Sequence, residues 1–155
     1  MSGERVLRPQ DLAPDDLDAP FWHGCRAHTF LVHRCTACGR AYWPASTCID
    51  HGSASMAWQP ASGHGEVFTY TVVHHPYDRS LVDKLPYAAC VVKVDEGPFF
   101  HTDIVGCAAS EVHIGMRVHV TFETIDDETT IPHFTPTPAP TPTSEEHRHD
   151  ARPTR

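Results

Sequence analysis

The hydrophobic pattern changes character part-way along the chain. Between residues 18 and 60 apolar positions come in short bursts broken by glycine, cysteine and histidine. From residue 63 to residue 134 they lengthen into runs rich in β-branched and aromatic side chains. In the first part Asp18 offers a helix N-cap, with Pro20 in the first turn. Phe21, Trp22 and Cys25, at i, i+1 and i+4, set one apolar stripe along a helix running to His28. Gly24 weakens that helix, so it is expected to be short. Three short strands follow, over residues 30–34, 41–44 and 56–59.

The second part reads as five strands. Residues 65–73 are rich in β-formers, and residues 86–94 are apolar enough to be buried on both faces. Residues 99–105 make a third strand, and residues 117–122 a fourth that alternates cleanly. Residues 130–134 close the set, with Pro132 favouring an edge. Asp95-Glu96-Gly97-Pro98 and residues 110–115 are turns by composition, and Asp126 to Glu128 an exposed loop. Five short antiparallel strands predict a small closed barrel, for which the five-stranded OB-fold is the leading candidate. The fold class is therefore mainly β, with one helix at its start. Residues 1–17 lack periodicity and read as an extended arm. Residues 135–155 begin with alternating threonine and proline and read as a disordered or polyproline-like tail. The expected divisions are 1–17, 18–60, 61–134 and 135–155.

Within the first part, Cys35-Thr-Ala-Cys38-Gly39 and Cys48-Ile-Asp-His51-Gly52 repeat one arrangement. Each holds two soft ligands spaced by two residues, the second followed by glycine. Zinc prefers four S or N ligands in a tetrahedron, and such a turn presents two of them from one side of the ion. The glycine supplies the positive φ that the turn demands. Four filled positions leave none for water or substrate, so Zn2+ held by Cys35, Cys38, Cys48 and His51 is expected to be structural. A ribbon this small cannot bury enough apolar surface alone, and metal binding supplies the missing folding free energy. Two alternatives stay open: Cys25 or His33 in place of His51, and ordinary buried cysteines with no metal. Disulfides are a poorer reading, since Cys25, Cys90 and Cys107 show no comparable pairing and no secretion signal precedes them.

Composition narrows the partners. The formal charge is −8. Residues 135–155 balance Glu145, Glu146 and Asp150 against Arg148, Arg152 and Arg155, so the excess lies on residues 1–134. Such a domain is repelled by phosphate backbones, and nucleic acid is not an expected partner. No apolar run approaches the length of a membrane span, so no membrane partner is expected. Six cysteines without a secretion signal point to a reducing cytoplasm. The ribbon itself is locally basic: within residues 21–60, Arg26, Arg34 and Arg40 face only Asp50. That surface suits a phosphate-bearing ligand, or is simply solvated.

No catalytic set stands out. His74-His75 follows the first barrel strand, and His101 with Asp103 makes an i, i+2 pair that on a strand is more often a surface feature. Cys90 and Cys107 read as small buried hydrophobes. Ser80 lacks the strand–turn–helix glycine context of a hydrolase nucleophile. The loop from His74 to Leu85 joins the first two barrel strands, where OB-folds place binding loops. Its Tyr77, Arg79, Leu81, Lys84 and Leu85 suit an interface or a phosphate-bearing ligand.

Several phrases, in order, resemble one family: Phe21-Trp22-x-Gly24, Cys35-x-x-Cys38-Gly39, Tyr42-x-Pro44, Gly63-x-Gly65-x-Val67-x-x-Tyr70-Thr71-Val72-Val73-His74 and Ile114-Gly115-Met116-x-Val118. That family joins an N-terminal helix and a rubredoxin-like zinc ribbon to an OB-fold, and was long labelled a domain of unknown function. The resemblance covers residues 18–136. It implies a non-catalytic subunit that completes a thiolase-like acyl-CoA enzyme, including a steroid side-chain aldolase, and that contacts the CoA ester. An accessory domain of a hot-dog-fold enoyl-CoA hydratase is the alternative it implies. Phe21, Trp22, Arg40, His74, Tyr77, Arg79 and Leu81 are the expected contact residues. Members that keep the metal usually carry four cysteines, whereas His51 stands fourth here. A free-standing acyl-CoA binder is the alternative from another class.

Overall fold

The computed structural model describes residues 16–77 and 79–138. Most of the expected arm and tail, and Asp78, lie outside the described residues. The first element is helix α1, Ala19–Arg26. Its N-terminus is closed by the Asp18 carbonyl, which accepts the Phe21 N–H at 3.0 Å, and no Asp18 side-chain bond caps it. Phe21, Gly24 and Cys25 face inward. Gly24 is more than a weak point. A Cβ there would stand 2.8 Å from Leu31 Cδ1 and 2.8 Å from the Thr29 carbonyl, so glycine lets the helix lie directly on the next strand. His28, at φ 53°, turns the chain back.

Three strands form the ribbon's sheet: β1 (Leu31–Cys35), β2 (Ala41–Tyr42) and β3 (Met56–Pro60), in the order β2-β1-β3. β1 pairs antiparallel with both neighbours, from Leu31 opposite Pro60 to Cys35 opposite Met56. β2 is shorter than expected, because the chain turns away at Trp43 and Pro44.

The remaining strands close a barrel in the order β4-β5-β6-β8-β7: β4 (His64–Val73), β5 (Tyr87–Val94), β6 (Phe99–Ile104), β7 (Arg117–Thr124) and β8 (Thr130–Pro136). This is the expected OB-fold, with three differences in detail. First, β6 and β8 run parallel, so the barrel is not wholly antiparallel. Second, β5 is not buried on both faces. Ala88, Cys90, Val92 and Val94 point inward while Tyr87, Ala89 and Val91 are half-covered, as alternation on one curved sheet requires. Third, the last strand continues to Pro136, because Thr135 and Pro136 pair with His119 and Val118.

A closed barrel has no formal edge, yet Pro132 still finds one. β8 meets β6 through a single register pair, Ile104 with Phe134, and Pro132 lies beyond it, laddered only to Phe122 on β7. Its missing N–H falls where no ladder bond is asked of it. The core runs through the whole molecule. Phe21 packs against Trp43 (ring centroids 4.1 Å), Trp58 (6.0 Å) and Phe100 (6.0 Å), and Phe30 packs against Phe100 (5.2 Å) and Phe134 (5.8 Å). One aromatic cluster thus joins helix, ribbon and barrel. Among the described residues no helix is long and apolar enough to cross a membrane.

Candidate metal centre and its surroundings

The first knuckle grows out of β1. Cys35 ends that strand, its N–H bound to the Arg40 carbonyl at 2.9 Å, and its carbonyl accepts the Gly39 N–H at 2.8 Å. The second knuckle repeats the closure, Gly52 N–H to the Cys48 carbonyl at 2.9 Å. Gly39 (φ 76°) and Gly52 (φ 71°) both adopt the left-handed conformation, and a Cβ at either would meet no atom within 4 Å. Glycine is required there by backbone conformation and not by crowding.

The two turns face one another. Ligand atoms of Cys35, Cys38, Cys48 and His51 all lie within 4.8 Å of each other, with Cys35 and Cys48 buried and Cys38 and His51 exposed. Cys38 Sγ stands 3.8 Å from Cys48 Sγ, and His51 Nδ1 stands 3.6 Å from Cys35 Sγ and 3.5 Å from Cys48 Sγ. Around one tetrahedral ion, sulfurs at about 2.3 Å stand about 3.8 Å apart, and about 3.5 Å from a nitrogen held at about 2.0 Å. The cluster therefore has the edge lengths of a four-coordinate metal site and can bind a metal ion. Burial pushes the Cys48 thiol up, but hydrogen bonds involving His51 and the Asp50 backbone outweigh it and bring it down to about 6. A thiolate is the form a metal binds.

The alternative ligands are placed elsewhere. Cys25 is wholly buried in the core, and burial pushes its thiol up to about 12. His33 is turned into the sheet, where Nδ1 accepts the Ser46 N–H at 3.0 Å and the ring packs on Trp58 at 4.9 Å. Burial lowers its pKa. Neither reaches the cluster.

The expected contact residues divide. Phe21 is fully buried, at the base of the cleft that Trp22 lines. Trp22 is half-buried beside Phe21 and lines a shallow cleft with Trp43, Phe100 and Pro132. Arg40 pairs with Asp50 at 3.0 Å, both about half exposed, a surface bond that solvent screens. His74, Tyr77 and Arg79 are exposed on the connection between β4 and β5, and Leu81 is half-buried in the same connection. That connection carries a 3-10 turn, Arg79–Lys84.

Asp103 pairs, but not with His101. His133 on β8 donates one ring N–H, at Nδ1, to Asp103 on β6, and its Nε2 stands 3.0 Å from Glu123 on β7. The bond to Asp103, opposed by burial and helped by Glu123, holds the imidazole above its ordinary pKa. Spacing along the sequence did not single out this group, because its members come from three strands that only barrel closure brings together. The remaining thiols are quiet: burial pushes Cys90 up to about 11 and Cys107 up as well.

Against this geometry the likenesses to known proteins are specific. The model of the ChsH2 C-terminal OB-fold domain matches residues 58–123. A probable enoyl-CoA hydratase alpha subunit of Thermomonospora curvata is 32% identical over 134 residues, or 85% of this chain and 41% of that protein. The chain thus spans about two fifths of the length of that hydratase subunit. A DUF35 domain-containing scaffold protein of Methanocaldococcus jannaschii is 30% identical over 120 residues, covering 76% of this chain and 84% of its own length. Among solved structures, an Ltp2-ChsH2(DUF35) aldolase superposes with a TM-score of 0.71 at 31% identity, covering 80% of this chain and 97% of that chain.

Proposed function

Because the chain belongs to the DUF35 family, we propose that it is a non-catalytic accessory subunit that binds and completes a thiolase-fold acyl-CoA enzyme, a steroid side-chain aldolase being the leading case. The observation that carries this reading is the likeness along 97% of a chain of the Ltp2-ChsH2(DUF35) aldolase. In this reading Cys35, Cys38, Cys48 and His51 hold Zn2+, which borderline-soft sulfur and nitrogen donors in a tetrahedron favour. The bound ion cross-links two turns and so contributes folding free energy to a sheet too small to stand alone. None of the six cysteines forms a disulfide, which suits a reducing cytoplasm.

The chain's own residues would then do the docking. Trp22, His74, Tyr77 and Leu81 offer aromatic and aliphatic contacts of the kind enriched at interfaces. Arg40 and Arg79 offer guanidinium groups for the phosphates of a CoA ester at the subunit boundary. The likeness to an enoyl-CoA hydratase alpha subunit supports a second reading, in which the partner is a hot-dog-fold hydratase. Co-expression separates the two. The tagged chain is expected to co-purify with a co-expressed thiolase-like enzyme, in fixed ratio through gel filtration. Capture of the hydratase alone favours the second reading, and elution of the chain by itself from both sinks the assembly.

A further inference from the structure

Where β6 and β8 share only one register pair, a cavity of about 480 Å3 opens in the barrel wall. Its walls are mostly carbon, from Leu81, Pro86, Tyr87, Ile104, Val105 and Ala109. Asp103, Glu123 and His133 converge on it from three different strands, and Lys84 lines it too. An apolar cavity of this size with a few convergent polar groups is the usual form of a small-molecule site.

We propose that this cavity binds an uncharged, largely apolar molecule that carries a hydroxyl group. The ligand class follows from the hydrogen bonds already made. His133 gives Nδ1 to Asp103 and Nε2 to Glu123, so neither ring nitrogen is left for a ligand. What remains at the polar end is acceptor capacity on carboxylate oxygens and donor capacity on Lys84, and a hydroxyl, both donor and acceptor, can meet either. Charge then chooses among ligands. An imidazolium between two carboxylates carries one net negative charge, and the Lys84 ammonium balances it. Cys107, whose thiol burial pushes up, adds no charge. With the polar end neutral in sum, a charged ligand gains no net attraction to offset its desolvation against the apolar walls. A hydroxyl avoids that cost and still finds a hydrogen-bond partner. The cavity adjoins the proposed docking surface at Leu81, but its apolar walls disfavour the phosphates of a CoA ester.

The test uses the full-length chain with octan-1-ol, octanoate and octylamine, read by NMR at the amides of Ile104 and Cys107 and at the His133 ring. Octanol is expected to shift these signals and to bind about tenfold more tightly, or better, than either charged analogue. Leu81→Trp fills the cavity from a half-exposed position and is expected to abolish the shifts while the ribbon and barrel spectra stay in place. Glu123→Gln, which removes a carboxylate, is expected to narrow the gap between octanol and octanoate. Octanoate binding as tightly as octanol, octanol binding undiminished in Leu81→Trp, or no shift with octanol overturns the proposal.

Discussion

Cys35 is buried at the end of a strand and is one of four donors around a point. Serine there replaces a thiolate by a hydroxyl that stays protonated at neutral pH and binds zinc poorly. Cys35→Ser is expected to lower metal from one ion per chain to near none by elemental analysis. The ribbon amides are expected to lose dispersion at the same time, since binding and folding of the ribbon are one equilibrium. His133 makes a different kind of prediction. Its pKa in the folded chain lies above the ordinary value, so its bridge to Asp103 and Glu123 stabilises fully below the unfolded pKa of about 6.5. That contribution fades as pH rises through the higher folded value. The melting temperature of the protein should therefore exceed that of His133→Gln most at mildly acidic pH, and the difference should shrink in alkali. A constant difference across that range would remove the imidazolium from the account.

At the scale of an element, α1 shows how packing overrules propensity. Alanine is a better helix former than glycine by about 1 kcal/mol. At position 24 the added methyl group would meet Leu31 and the Thr29 carbonyl at 2.8 Å, and over-packing of that kind costs about 1–3 kcal/mol. The second effect is the larger, so Gly24→Ala is expected to lower the denaturant midpoint even though it strengthens the isolated helix. In the sequence Gly24 reads as a weak position, because what crowds it lies beyond the helix, on the turn and on the next strand. The parallel pairing of β6 with β8 is hidden for the same reason: five β-runs predict a barrel, but strand direction at the last seam depends on closure.

For the whole molecule, the aromatic cluster around Phe21 ties the cysteine-bearing ribbon to the barrel, so the proposed contact residues on both parts share one frame. Tyr77 tests the docking surface cleanly, because it is 79% exposed and its loss removes little from the core. Tyr77→Ala is expected to weaken capture of the partner about tenfold in a pull-down titration while leaving the melting temperature unchanged. An unaltered affinity would move the interface away from the connection between β4 and β5.

What could be read without coordinates was local in sequence. Two turns that each close within a few residues carry their ligands and glycines side by side, and alternating β-runs announce a small barrel, because both depend on neighbours along the chain. Tertiary structure alone decided that Phe21 lies inside, that His33 and Cys25 stay clear of the cluster, and that Asp103 meets His133 and not His101. Those outcomes depend on which distant strands come together, and pairing across a closed barrel is set by shape and burial that no short stretch of residues contains.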